Sequence, residues 1–359
     1  MTKHADIPSG AWATVSAIDS ASISNLPLEP YFYCDVPRLK RTTIPVFSFV
    51  ITNQLGRRVL FDLGLRKDWH HLSPTALAEV EHDHLQIECA KDVRDILELH
   101  GYKTDDVEAI ILSHHHFDHI GDPSRFPTAT DLVVGPGFGP TITPGYPKGP
   151  ESEILETDYS ERKVIEITFK ERPINIKGLP AVDYFGDGSF YLLFTPGHTA
   201  GHLSGLVRTS TSPDTFILLG GDACHHCGEL RPSALRHMPT VPAPEDAEKQ
   251  FPGLSEATSY LQSHKNDGTD PFFPVQRDEE YAGYCNDPDL AEKTIRELQV
   301  FDALDNVFPI FSHDATVKDI ILEFPHTLNE WKKNGWGEKC RWKFLEDFKQ
   351  SCMLYKNPE

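Results

Sequence analysis

Four side chains able to bind a metal ion crowd into a single short run of this chain, Ser-His-His-His-Phe-Asp-His: His114, His116, Asp118 and His119. Imidazole and carboxylate are the groups that hold a zinc-like dication. Residues two apart in an extended chain point to the same side, so His114 and His116 can share one ion, while Asp118 and His119, opening a helix, turn toward a second. The bland alternative is a solvated loop that happens to be rich in histidine, but nothing structural calls for such density. The intervening His115 and Phe117 receive no ligand role.

The elements that must position this cluster are legible around it. The wholly apolar run Ala109 to Leu112 reads as a strand feeding the cluster directly, so the polar groups sit on a loop at a strand end, where functional groups concentrate. Upstream, Pro45 to Thr52 and Arg58 to Leu65 read as two strands joined by the turn Asn-Gln-Leu-Gly, and about Ile87 to His100 carries apolar residues at helical spacing before a stop at Gly101. Downstream, Val164 to Phe169, Ser189 to Thr195, Thr215 to Leu219 and Val307 to Phe311 read as strands. The last three run into Thr-Pro-Gly-His-Thr-Ala-Gly-His, Gly-Gly-Asp-Ala and Ser-His-Asp. Residues 224–306 differ in texture, rich in proline and aromatics, and read as a long insertion. It contains one clear helix from about Pro288 to Phe301, which Asp287 can cap. The tail with Trp331, Trp336 and Trp342 predicts a closing helix packed on the core. No short-period repeat or low-complexity tract is visible.

Composition narrows the partners. The chain has 359 residues, 39% of them hydrophobic and 25% charged, the balance of a globular α/β enzyme, and we read it as one domain spanning 1–359. Its formal net charge of -20 opposes nucleic acid and anionic lipid, so neither nucleic acid nor a membrane is expected as a partner. The opening MTKHADIPSG lacks the features of a secretory leader, and the chain has no apolar run long enough to span a bilayer. Seven scattered cysteines, Cys34, Cys89, Cys224, Cys227, Cys285, Cys340 and Cys352, fit reduced thiols. A cytoplasmic address is the expectation. Cys224 and Cys227 form a C-x-x-C that has no second pair, which favours a structural role over redox or zinc-ribbon chemistry.

The H-x-H-x-D-H cluster resembles the signature of the metallo-β-lactamase superfamily, and further blocks of that signature follow in order. His198 in TPGHTAGH, Asp222 in GGDA and His313 in FSHD match the remaining ligands, and Phe61 to Gly64 (FDLG) makes a fifth block. The resemblance covers about Pro45 to Asp314 and implies an αβ/βα sandwich of two mixed sheets flanked by helices, with metals in a cleft at one edge. It implies that His114, His116 and His198 hold one ion, that Asp118, His119 and His313 hold the other, and that Asp222 bridges them. Two zinc ions per chain are expected; iron, manganese or cobalt also suits imidazole and carboxylate ligands.

Such a centre should ionise a bridging water near neutral pH for attack on a carbonyl, with Asp118 or a nearby histidine handling the proton. The chain is most similar to the N-acyl homoserine lactonase-like subgroup and its fungal lactonase and lactamase relatives. That predicts opening of a small cyclic ester or cyclic amide, the substrate being a small carbonyl compound. His225 stands where the lactonases place a substrate-contacting tyrosine, which puts acyl homoserine lactone specificity in doubt. His225 or His226 is a candidate proton donor, or else a histidine there only hydrogen-bonds the Asp222 loop. His202 is expected to support His198. True β-lactamases usually lack the bridging aspartate, flavodiiron enzymes carry Glu in place of His116, and nucleases must grip phosphate, so these relatives fit less well. Thioesterases of glyoxalase-II or polyketide type share every ligand and remain the alternative. A metal-bound, non-hydrolytic binding or redox protein is the alternative of another class. Phe272, Phe273, Tyr281 and Tyr284 in the insertion form either an aromatic lid over the metals or a peripheral core.

Overall fold

The structure, a computed structural model, describes residues 7–36, 39–170, 174–240, 249–264 and 266–353; residues 241–248 and 265 of the expected insertion therefore lie outside the described residues. Two mixed sheets lie face to face. The first comprises β1 (Ala13–Pro27), β2 (Arg41–Asn53), β3 (Arg58–Phe61), β4 (Gln86–Glu88), β5 (Ala109–Ile111), β6 (Asp131–Val134) and β7 (Val164–Glu166), in the spatial order β4-β1-β2-β3-β5-β6-β7. The second comprises β8 (Ile174–Ile176), β9 (Leu179–Asp183), β10 (Phe190–Phe194), β11 (Leu203–Thr211), β12 (Asp214–Leu219) and β13 (Val307–Ile310), in the order β13-β12-β11-β10-β9-β8. Helices α1 (Pro74–His82), α2 (Val93–Leu99), α3 (Phe117–Ile120), α4 (Cys227–Leu230), α5 (Leu254–Ser263), α6 (Pro288–Asp302), α7 (Trp336–Arg341) and α8 (Glu346–Met353) flank them. This is the expected α/β sandwich.

Strand alternation sorts side chains between the layers. Phe47, Phe49 and Ile51 of β2 meet Leu192, Val207 and Ile217 of the second sheet in the central core, while Val50, Leu60 and Ile110 turn outward onto Val93 and Leu97 of α2. The outer face of the second sheet packs Leu206, Phe216 and Leu218 against Ile295, Leu298 and Phe301 of α6. Strands β3, β5 and β6 run parallel in the interior of their sheet, buried on both faces, which is why Ala109 to Ile111 is uniformly apolar.

Several expectations change in detail. The helix expected from Ile87 starts only at Val93, where the Asp92 side chain accepts from Asp95 N; before it, Gln86–Glu88 pairs with β1 as an edge strand. The first strand is not visible in the sequence because its inward residues include Ala13 and Ala17, too small to signal a buried face. Helix α6 follows its expected span, with Asp287 accepting from Leu290 N. The tail is not one closing helix. Trp331 and Trp336 enter the central core, whereas Trp342 joins a separate cluster with Phe344 and Phe348. Phe272 and Phe273 are buried in that same cluster, and Tyr284 is elsewhere. No helix among the described residues is long and apolar enough to cross a membrane. The described cysteines are all free, Cys224 and Cys227 among them, both buried.

Candidate metal centre

Four chain segments leave the sheets at one edge and converge. After β5 the chain passes through Ser113 and His114 to His116, which precedes the one-turn helix α3 and leaves Asp118 and His119 in its first turn. The turns after β10, β12 and β13 bring His198, Asp222 and His313 to the same place. All seven expected ligands meet there. Nε2 of His198 lies 3.2 Å from Nε2 of His114 and 3.1 Å from Nδ1 of His116. On the other side, Nε2 of His313 is 3.3 Å from Asp118 Oδ2, and Nε2 of His119 is 3.7 Å from Asp118 Oδ1. Asp222 stands between the two sets, with Oδ1 at 3.2 Å from His119, Oδ2 at 3.3 Å from His313, and Oδ2 at 3.9 Å from His198 and 4.0 Å from His114.

The donor set fits a pair of divalent ions. Ligands about 2.0–2.1 Å from a tetrahedral ion stand about 3.3 Å from one another, close to the separations within each set. Nε2 of His119 and Oδ1 of Asp222 are buried 3.2 Å apart without a well-aligned hydrogen bond and with no other partner, a costly state that metal ligation would relieve. Burial and the crowding of neighbouring imidazoles push His114 and His198 well below the ordinary histidine value, and burial with His115 pushes His116 to about 4, which favours the neutral form that can bind a metal. At His119 and His313 burial acts in the same direction but is outweighed by Asp222 and Asp118; His119 is held well above the ordinary value and His313 at about 10. These carboxylates demand positive charge, which a dication supplies in place of protons.

The candidate ligands are themselves held. Asp62 sits just past β3 with a left-handed φ of 61°. Its Oδ1 accepts from Ser113 N (2.6 Å) and its Oδ2 from Ser113 Oγ (2.8 Å) and His119 Nδ1 (3.0 Å), which leaves His119 Nε2 facing the centre. His313 Nδ1 donates to the Pro45 carbonyl at 3.0 Å. His202 does not support His198 as expected: its Nε2 accepts the Asp222 backbone N–H at 3.0 Å, because both belong to the tight crossing where Gly221, at φ 56°, lets the chain pass the His202 ring. Helix α6 braces the His198 loop, with Thr294 Oγ1 donating to the Pro196 carbonyl at 2.6 Å. A Cβ on Gly197 would sit 2.3 Å from the Ala291 backbone, so glycine is required for that approach.

His225 reaches the same space. Its Nε2 is 3.5 Å from Asp222 Oδ2 and otherwise unpartnered, its ring lies 4.4 Å from that of Tyr31, and Glu229 accepts from its backbone N–H at 2.6 Å. His226 instead contacts Asp347, with its Nε2 3.1 Å from Oδ2. A cavity of about 500 Å³ opens above Asp118, Asp222, His225 and His313, walled by Ile23, Leu26, Ile44, Leu85, Phe117, Tyr31 and Tyr284 together with Glu79 and Glu153. Sequence reasoning gives Tyr31, Glu79, Asp62 and Glu229 no role. Asp62 lies in the FDLG block and carries a signal there; the others are brought to the site only by folding.

Residues 41–259 match the metallo-beta-lactamase superfamily, and the chain belongs to it. It is 42% identical over 295 residues to the γ-lactamase FDB1 of Fusarium pseudograminearum, covering 81% of this chain and 70% of that protein. It is 39% identical over 352 residues to a Penicillium roqueforti protein named cytochrome P-450 monooxygenase mpaDE, covering 96% of this chain but only 38% of that much longer protein. A solved quorum-quenching N-acyl homoserine lactone hydrolase superposes with a TM-score of 0.52 at 17% identity, covering 89% of this chain and 99% of that one, a likeness of fold. The family match and the γ-lactamase relative, set beside the buried His/Asp clusters, support a metal-dependent hydrolase.

Proposed function

We propose that this chain opens a small cyclic ester or cyclic amide by hydrolysis, using two divalent ions, zinc the expected pair, held by His114, His116 and His198, by Asp118, His119 and His313, and by Asp222 between them. The observation that carries the reading is the convergence of two three-residue ligand sets on Asp222 at the floor of a largely apolar cavity of about 500 Å³. That size suits a small ring, and an apolar enclosure strengthens electrostatic stabilisation of a developing oxyanion. The name of the Fusarium relative, a γ-lactamase, is in keeping with a cyclic amide.

When bound, the ions would lower the pKa of a shared water and polarise the substrate carbonyl. The remaining work falls to side chains. Asp118 lies at the floor of the cavity and is placed to take the proton of the attacking water. The water oxygen bonds to the carbonyl carbon, the ring C–O or C–N bond breaks, and the freed oxygen or nitrogen takes up a proton. His225 lines the cavity, and its buried Nε2, 3.5 Å from Asp222 Oδ2 and without another partner, is the group to which we give that proton transfer. The ring-opened product is a hydroxy acid or an amino acid. The lid reading of the insertion narrows to the segment around Gly283 and Tyr284, which lines the cavity, while Phe272 and Phe273 belong to the cluster around Phe344 and Phe348.

The test is turnover of metal-loaded protein on a panel of γ-lactams, lactones and thioesters, with metal content measured on the same sample. Preference for a lactam or lactone supports the proposal, and preference for thioesters points to the thioesterase alternative. Full metal occupancy with no hydrolysis of any of them would overturn it.

A further inference from the structure

Glu79 projects from α1 into the wall of the cavity, where most of the surrounding lining is apolar: Ile23, Leu26, Ile44 and Leu85. Among the described residues its carboxyl group has no hydrogen bond or ion pair. The other acids nearby are engaged: Glu153 is 3.2 Å from His115 Nε2, and Asp83 Oδ2 accepts from the Tyr284 hydroxyl at 2.9 Å. No lysine or arginine among the described residues lines the cavity, and His82, which lines it one turn along the same helix, lies 4.0 Å from Asp83 rather than pairing with Glu79. A carboxyl group kept in such a place, facing open space, is a recognition group without a protein partner.

We propose that Glu79 is the specificity-determining residue of this pocket, accepting a hydrogen bond from an O–H or N–H on the substrate ring and disfavouring ligands with an anionic group on that side. The inference rests on the hydrolase reading for the identity of the cavity as a substrate site, and it names the substrate class as an uncharged ring with a hydrogen-bond donor remote from the scissile carbonyl. Burial, reinforced by Asp118 and Glu153, pushes the Glu79 carboxyl up to about 8, as expected of a site with no room for further negative charge. A donor on the ligand satisfies the group, whereas an apolar edge leaves it buried and unpaired.

The test measures binding, by calorimetry, of three bicyclic ketones that cannot be hydrolysed: α-tetralone, a ring-hydroxylated derivative and a ring-sulfonated derivative, the last anionic but a poor metal ligand. Metal-loaded wild type, Glu79→Gln and Glu79→Leu are compared at about pH 9, where the Glu79 carboxyl is ionised. Wild type should bind the hydroxylated ketone about tenfold more tightly than the parent and the sulfonated one about tenfold more weakly. Glu79→Leu should lose the preference for the hydroxyl, and the near-isosteric Glu79→Gln should recover most of the sulfonate penalty. The same ranking in all three proteins, with metal content unchanged, would overturn the role of Glu79. Turnover of the corresponding lactones and of the lactam, lactone and thioester panel is followed in parallel: turnover with an unaltered ranking sinks the Glu79 inference alone, while an altered ranking with no turnover of any panel member sinks the hydrolase reading and leaves Glu79 as a binding determinant.

Discussion

Asp62 and His119, far apart in the chain, are joined by a 3.0 Å contact between Oδ2 and Nδ1, and the same carboxylate holds the Ser113 backbone and hydroxyl. One side chain thus sets the orientation of a ligand and of the strand end that carries His114. Replacing Asp62 by Ala should lower metal affinity by about 10- to 100-fold, read by chelator competition. Wild-type affinity in the variant would show that the packing of His119 alone suffices.

The role given to His225 separates from a bracing role by choice of substitution. His225→Phe keeps an aromatic ring against Tyr31, at 4.4 Å in the wild type, and removes the proton. If His225 protonates the leaving group, kcat on the preferred lactam or lactone should fall by about 10²- to 10⁴-fold with metal content intact. A ring that only braces the Asp222 loop would leave kcat close to wild type.

The two ends of the aromatic segment should behave differently. Phe273 is 1% exposed and stacks on Phe348, so Phe273→Ala should cost about 3–5 kcal/mol of stability in denaturant titrations while KM stays near wild type. Tyr284→Phe deletes the hydroxyl that donates to Asp83 at the cavity wall, and it should change KM with little change in stability. The opposite pattern would remove Tyr284 from the substrate pocket.

Acid sensitivity should trace to Arg231 and Asp302, a buried bidentate pair with contacts of 2.7 and 3.0 Å. Burial alone would raise the Asp302 carboxyl, but the Arg231 guanidinium outweighs it and holds the group below the usual range. A carboxyl depressed in the folded state stabilises at any pH above its unfolded value of about 3.9, and that contribution disappears as pH falls through the folded value. Asp302→Asn should therefore cost about 3–5 kcal/mol near pH 7, because it strands the arginine charge. The gap between variant and wild type should close below about pH 4, as measured by urea titration across pH; a gap independent of pH would mean that packing, not charge, holds the pair.

The residues of the candidate metal centre are legible in the sequence because their chemistry resides in residue type and local spacing. His114, His116, Asp118 and His119 sit within one strand-to-helix turn, and His198, Asp222 and His313 each follow an apolar run that reads as a strand. Elements built from small side chains are not legible: β1 escapes because Ala13 and Ala17 bury little apolar area, and the edge strand Gln86–Glu88 is absorbed into a helical pattern that Asp92 in fact interrupts. Likewise the spacing puts His202 near the centre but does not assign its partner, since the choice of Asp222 N over His198 depends on how the chain crosses at Gly221.

By itself, then, the order of residues determined which atoms could bind metal and which strands would deliver them, since both follow from side-chain chemistry and a periodicity of a few residues. Tertiary structure alone decided that Tyr31 lies against His225, that Glu79 looks into the cavity without a partner among the described residues, and that Phe273 turns toward Phe348. Those relationships join distant segments across packed layers, and their geometry is set by how two sheets and their helices fill space together.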